Sequence, residues 1–183
     1  MNARYVHPAH RYVVARNCFE VIGDTVRMEL SQGEYVVFDV ADLPLVASHR
    51  WCAAWFKRNI YAITQVRDAR GRQVSVRMHR LIMGVADPEA LVDHRNLDGL
   101  DNRRDNLRVA TRTQNTWNCP RPRTNTSGYK GVIRDPRSGR YSAEIKVHGK
   151  TLHLGRFDDP VSTARAYDEA ARRHHGAFAR PNF

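Results

Sequence analysis

Cysteine, acidic residues and long apolar runs are all in short supply in this chain, and each shortage excludes something. The three cysteines, Cys18, Cys52 and Cys119, are odd in number, far apart and form no C-x-x-C pair. Neither a disulfide framework nor a cysteine zinc site follows from that pattern. The N-terminal MNARYVHPAHRYVV has no run of the kind that makes a secretory signal, and no stretch is long enough to span a membrane. A reducing cytoplasm and no membrane partner are therefore expected. Tandem repeats and low-complexity tracts are absent as well.

Acids number 19 against 30 lysines and arginines, a formal net charge of +11 in 183 residues. Such an excess calls for an anionic partner, and nucleic acid is the commonest. The charge is uneven. From Cys119 onward there are 13 basic and 6 acidic residues, against 17 and 13 before it. The C-terminal third is thus the stronger electrostatic footprint.

The pattern predicts an α+β chain in several small pieces. Residues 1–77 read as a β-rich region. TVRMEL and EYVVFDV form a hairpin across a glycine-containing turn, ADLPLVASHRW holds a short helix, and WCAAWFKR, IYAITQVRD and VSVRM are further strands. Trp51, Trp55, Phe56 and Tyr61 are the candidate core there. Residues 78–118 form a second piece, opened by the short helix HRLIMGV. Residues 119–127, rich in proline and arginine, read as a basic linker. Residues 128–183 show three short strands and then one helix.

The densest chemistry lies in LVDHRNLDGLDNRRDNLRVATRTQN, residues 91–115. LVDH reads as a strand, NLRVA as its return, and TRTQNTWN as a helix start with Thr111 and Gln114 in a capping box. Asp93 and Asn115 both offer oxygen, the donor magnesium prefers. His94, beside Asp93, can take a proton from a water attacking phosphorus. Asn106 can bond loop backbone and hold the histidine in place. One tension is geometric: adjacent residues of an ideal strand point to opposite faces.

This stretch resembles the HNH nucleases with a ββα-metal fold, in the variant common among phage and intron homing endonucleases. The resemblance runs from His79 to Asn118. It implies Asp93 and Asn115 as metal ligands, His94 as general base and Asn106 as the residue that orients it. It also implies a divalent ion, magnesium above all, with manganese able to stand in, and a setting in bacterial or phage-infected host cytoplasm. MHRLIM is similar to the His-Arg segment that precedes the motif in the family. His79 is expected to pack and bond backbone, and Arg80 to meet phosphate or form a salt bridge. His7, His10, His174 and His175 show no ligand spacing and are expected at the surface.

In the tail, Tyr141, Ala143, Ile145 and Val147 alternate with Ser142, Glu144, Lys146 and His148, so one sheet face is apolar and one polar. Leu152 and Leu154 are expected inward, Thr151 and His153 outward. Asp159 caps a helix with Pro160 at its first position and a stripe of Ala164, Tyr167, Ala170 and Ala171. SGYKGV, YSAEIKV, LGRFDDPVSTARAYDEAA and GAFARPNF resemble the Apetala-type DNA-binding domain of plant ethylene-response factors, which also occurs in mobile nucleases. That resemblance implies DNA contacts from Lys130, Glu144, Lys146, Thr151 and His153, with Arg134, Arg137 and Arg140 nearby for phosphate. The first turn is longer than in the plant domains, a tryptophan is missing there, and R-x-W-L-G becomes TLHLG. The plant recognition sequence does not carry over.

The expectation is a metal-dependent homing-type endonuclease acting on duplex DNA, in which the HNH module cuts and the tail grips. The alternative is a non-cleaving DNA-binding or regulatory protein that keeps the HNH fold. An RNA-binding module would account for the charge but leave the Asp-His-Asn-Asn constellation unexplained.

Overall fold

The computed structural model describes residues 4–6, 11–14, 17–56 and 59–183. His7 and His10 lie outside the described residues. The chain divides into two compact units, residues 1–111 and 112–183. Among the described residues no helix is long and apolar enough to cross a membrane.

The first unit begins with a five-stranded antiparallel meander: β1 (Arg4–Val6), β2 (Arg11–Val14), β3 (Asn17–Ile22), β4 (Thr25–Glu29) and β5 (Tyr35–Asp39). The short helix α1 (Leu43–Val46) leads to a three-stranded sheet of β6 (Cys52–Phe56), β7 (Asn59–Arg67) and β8 (Gln73–Arg77). Helix α2 (Met78–Ile82) then precedes the hairpin β9 (Leu91–His94) and β10 (Leu107–Ala110). Alternation along β4 and β5 sends Val26, Met28, Val36 and Phe38 into one core, where Trp51, Met78 and Leu107 join them. The Trp51 indole donates to the Val46 carbonyl at 2.8 Å, which satisfies its one polar atom.

The aromatic core differs from the sequence expectation. Trp55 is 63% exposed and Phe56 40%. Both lie at the end of β6, beyond the buried Ala53–Ala62 pair. The meander fills the core without them. Phe56 instead lies beneath the Arg77 guanidinium, 4.8 Å from the ring centroid.

The second unit starts with α3 (Arg112–Asn118). It continues with the antiparallel strands β11 (Val132–Arg134), β12 (Tyr141–Val147) and β13 (Lys150–Phe157), followed by α4 (Pro160–His175). Asp159 caps α4 by accepting from the Ser162 amide at 2.8 Å. Ala164, Tyr167, Ala170 and Ala171 are buried, and Tyr167, Ala170 and Ala171 pack with Ile145 and Val147. Gly131 has φ +74°, and a Cβ there would lie 1.9 Å from the Tyr167 ring, so only glycine lets the chain pass so close to α4. A bulge between Ala143 and Glu144 shifts the β12–β13 register. Leu154 still packs on the core, whereas Leu152, expected inward, is 38% exposed on the edge strand.

Candidate nuclease centre and nucleic-acid interface

Two strands and a loop position His94. It ends β9 opposite Leu107, and it is 5% exposed. Its ring meets His79 edge to face with centroids 4.8 Å apart, and Tyr61 at 5.9 Å. Burial pushes the His94 pKa down. The Asn102 hydrogen bond and the charges of Asp93, Asp98 and Asp101 oppose the shift in part. His79, 5% exposed, is pushed down further, to about 3, by burial first and then by the charges of His94, Arg77 and Arg80. It packs as expected and is held neutral.

The loop between the strands carries a residue that sequence reasoning missed. Asn102 is fully buried, and its Oδ1 lies 3.2 Å from His94 Nε2, a contact that bears on which ring nitrogen holds the proton. Asn106 acts one step back. Its Oδ1 accepts from the Asn96 amide at 3.0 Å, and its Nδ2 donates to Asn96 Oδ1 and the Asp101 carbonyl at 2.9 and 2.7 Å. It therefore bonds the loop backbone, as expected, while the hold on the ring comes from Asn102.

The loop is pinned to its unit at three places. The Asn102 amide donates to the Val37 carbonyl at 2.7 Å, adding a rung to β5. Arg104 grips both oxygens of buried Asp42, at 3.0 and 2.7 Å, and donates to the Ile82 carbonyl. Gly99 presses on β7: a Cβ there would lie 2.3 Å from the Ile60 carbonyl. The DNRRDN run is thus a braced turn, and Asp101, Asn102, Arg103, Arg104 and Asn106 were legible as polar but not as partnered.

Asp93 is 4% exposed and pairs with Arg108, its register partner on β10. Arg108 Nε and Nη2 both reach Asp93 Oδ2, at 2.8 and 2.7 Å. Asp93 and His94 are adjacent on β9 and both buried, Asp93 opposite Arg108 and His94 opposite Leu107. Asn115 lies half-buried on α3 in the other unit. Among the described residues no cluster of three or more His, Cys, Asp and Glu is placed to hold a metal. The Asp93 carboxylate and the Asn115 amide are each hard oxygen donors, the type suited to an ion that keeps water and takes phosphate oxygens. They do not make a closed protein cage.

The Arg80 guanidinium is engaged with backbone carbonyls rather than with a carboxylate. It donates to the carbonyls of Ala90, Val85 and Asp87 at 2.6, 3.2 and 2.6 Å and so organises the turn after α2. Carbonyls of an irregular turn have no regular backbone partner, and Arg80 supplies donors to three of them.

On the tail sheet, Arg134, Arg137, Arg140, Lys146, Thr151 and His153 are exposed, with Glu144 half-buried among them. Register pairs Glu144 with His153, Lys146 with Thr151 and Ser142 with Arg156, which adds exposed Arg156 to the polar face. Arg140 forms an exposed ion pair with Asp158 at 2.7 Å. Two expectations need correction. Lys130 is turned away from that face: its Nζ donates to the Trp117 and Cys119 carbonyls at 2.6 and 2.7 Å. His175 is 6% exposed and stacks on Trp117, because the helix stripe carries it inward while His174 stays exposed.

Residues 76–116 match the family model described as HNH endonuclease. Protein 3.8 of Escherichia phage T7 is 33% identical over 89 residues, 49% of this chain and 73% of that protein. An uncharacterized HNH endonuclease of Acanthamoeba polyphaga mimivirus is 26% identical over 152 residues, 82% of this chain and 76% of that protein. The tail is similar to APETALA2-like protein 2 of Oryza sativa subsp. indica, 44% identical over 62 residues. That match takes in 34% of this chain but spans only 14% of the plant protein. No solved structure matches. With the Asp-His pair, its braced loop and the first five residues of the following helix inside the matched segment, the chain belongs to the HNH endonuclease family and carries an Apetala-like segment behind the nuclease motif.

Proposed function

We propose that the protein is a divalent-metal-dependent endonuclease of homing type that hydrolyses phosphodiester bonds in duplex DNA. The observation that carries this reading is His94: buried, its pKa pushed below the ordinary histidine value, and held by Asn102 in a loop braced by Asn106. A neutral imidazole at neutral pH is ready to accept a proton from a water that attacks phosphorus. Asp93 and Asn115 would hold the ion, magnesium above all, and bound there it would offset charge on the scissile phosphate and lower the pKa of water. Asn102 orients the base, Asn106 keeps the loop in register, and Arg108 holds the Asp93 carboxylate. On the tail, Arg134, Arg137, Arg140, Lys146 and Arg156 meet phosphates, and Glu144, Thr151 and His153 face base edges.

The test is nicking of long duplex DNA at a series of magnesium concentrations. His94→Ala should abolish hydrolysis and leave DNA affinity nearly unchanged, since affinity comes mostly from phosphate contacts elsewhere. Cleavage by that variant within a few-fold of the parent would remove His94 from its role. Full cleavage in excess chelator would remove the metal.

A further inference from the structure

Lys130, half-buried in the C-terminal unit, is bound to α3. Lys130 Nζ donates to the carbonyls of Trp117 and Cys119, at 2.6 and 2.7 Å, where the helix ends. A lysine there satisfies carbonyls that have no partner within the helix and meets the negative end of its dipole. Burial pulls the amine down to about 8, which still leaves it mainly charged at neutral pH. Its backbone is fixed in turn. Asn182 Oδ1 accepts from the Lys130 amide at 2.7 Å, and the Asn182 amide donates to buried Asp168 of α4 at 2.7 Å.

A second tie runs from the other end of α4. The Trp117 ring lies flat on His175, with centroids 4.2 Å apart and planes 9° from parallel. His175 Nε2 lies 3.0 Å from the Lys146 carbonyl on β12. A cavity of about 400 Å³, lined among others by Thr113, Thr116 and Tyr167, opens beside this stack. Close packing therefore does not hold α3 all along its length. A helix of seven residues is also too short to be stable alone.

We propose that Lys130, Trp117 and His175 are positioning residues that fix α3, and through it Asn115, to the unit bearing the DNA-binding sheet. The proposal rests on the reading of Asn115 as a metal ligand. It makes the tail more than a grip: the unit that meets DNA also presents a ligand of the catalytic ion.

The experiment uses the full chain and the variants Lys130→Met, His175→Ala and Asn115→Ala. Hydrogen exchange without metal should show residues 112–118 exchanging about tenfold faster in the first two variants, with β12 still protected. In cleavage, the magnesium concentration for half-maximal rate should rise about tenfold, the scale of losing a residue that orients a ligand. Affinity for duplex DNA in metal-free buffer should stay within about twofold, because no phosphate contact is removed. Lys130→Arg, which keeps a donor at the helix end, should restore most of the magnesium response. Unchanged exchange of residues 112–118 in both Lys130→Met and His175→Ala would overturn the proposal. So would faster exchange with an unchanged magnesium response beside an inactive Asn115→Ala. An Asn115→Ala protein that cleaves like the parent would instead sink the ligand reading beneath it. Should Lys130→Met fail to fold, His175→Ala carries the same measurements.

Discussion

Replacing Arg108 with methionine tests whether Asp93 takes a divalent ion. Asp93 is 4% exposed and Arg108 8%, and two guanidinium N–H groups converge on one carboxylate oxygen at 2.8 and 2.7 Å. Methionine keeps much of the apolar stem and removes the charge. The buried carboxylate then loses both Arg108 N–H groups and their charge, and breaking a buried pair in this way costs about 3–5 kcal/mol. Against a domain stability of about 5–15 kcal/mol that is a large fraction. A divalent ion on Asp93 would replace the missing charge. Magnesium at a hundred times its dissociation constant would return about 2.7 kcal/mol. Urea denaturation of the parent, Arg108→Met and Asp93→Asn/Arg108→Met, each with and without magnesium, reads both terms. The double variant should be more stable than the single one and should ignore magnesium. A loss below about 1 kcal/mol in Arg108→Met would show that the pair behaves as an exposed one. A magnesium response equal in the single and double variants would show that the ion does not sit on Asp93.

Gly99→Ala forces a Cβ to within 2.3 Å of the Ile60 carbonyl and 2.7 Å of the Tyr61 ring, so the loop bearing Asn102 must move. Single-turnover cleavage should fall about a hundredfold, the scale of an ångström misplacement, while DNA binding persists. Asp168→Ala removes a 1% exposed acceptor of the Asn182 and Phe183 amides, at 2.7 and 2.9 Å, and thermal unfolding of the C-terminal unit should show a loss of about 3 kcal/mol. His79 is lowered from 6.5 to about 3 by folding, so its neutral form is the one the fold favours. Its contribution is complete above pH 6.5 and is lost as pH falls through the window toward 3, about 2–3 kcal/mol by pH 4.5. His79→Phe should flatten that part of the acid slope in urea titrations. An unchanged slope would place the acid sensitivity elsewhere.

Local chemistry made much of this protein legible from its residues alone. The spacing of Asp93, His94, Asn106 and Asn115 is written in the order of a strand, a loop, a strand and a helix, and period-two alternation in YSAEIKV names the buried face of the tail sheet. Asp159 and Pro160 mark a helix start through hydrogen bonding and a fixed φ, which depend on neighbours only. Tertiary packing decided the rest, because partners distant in sequence compete for the same side chain. Asn102 and Asn106 look alike in DNRRDN, and only the docking of the loop on β5 brings Asn102 to the His94 ring. Lys130 is a DNA contact by resemblance and Arg80 a phosphate or salt-bridge residue, yet carbonyls at the end of α3 and in the turn after α2 engage them. Trp55 and Phe56 read as core by type, but the meander had already filled that space, and hydrophobicity does not say which apolar residue goes in. His175 reads as surface by residue type, although it follows Ala171 by four residues on the same helix face. Its place is set by the inward stripe of α4 and by a tryptophan 58 positions earlier in the chain.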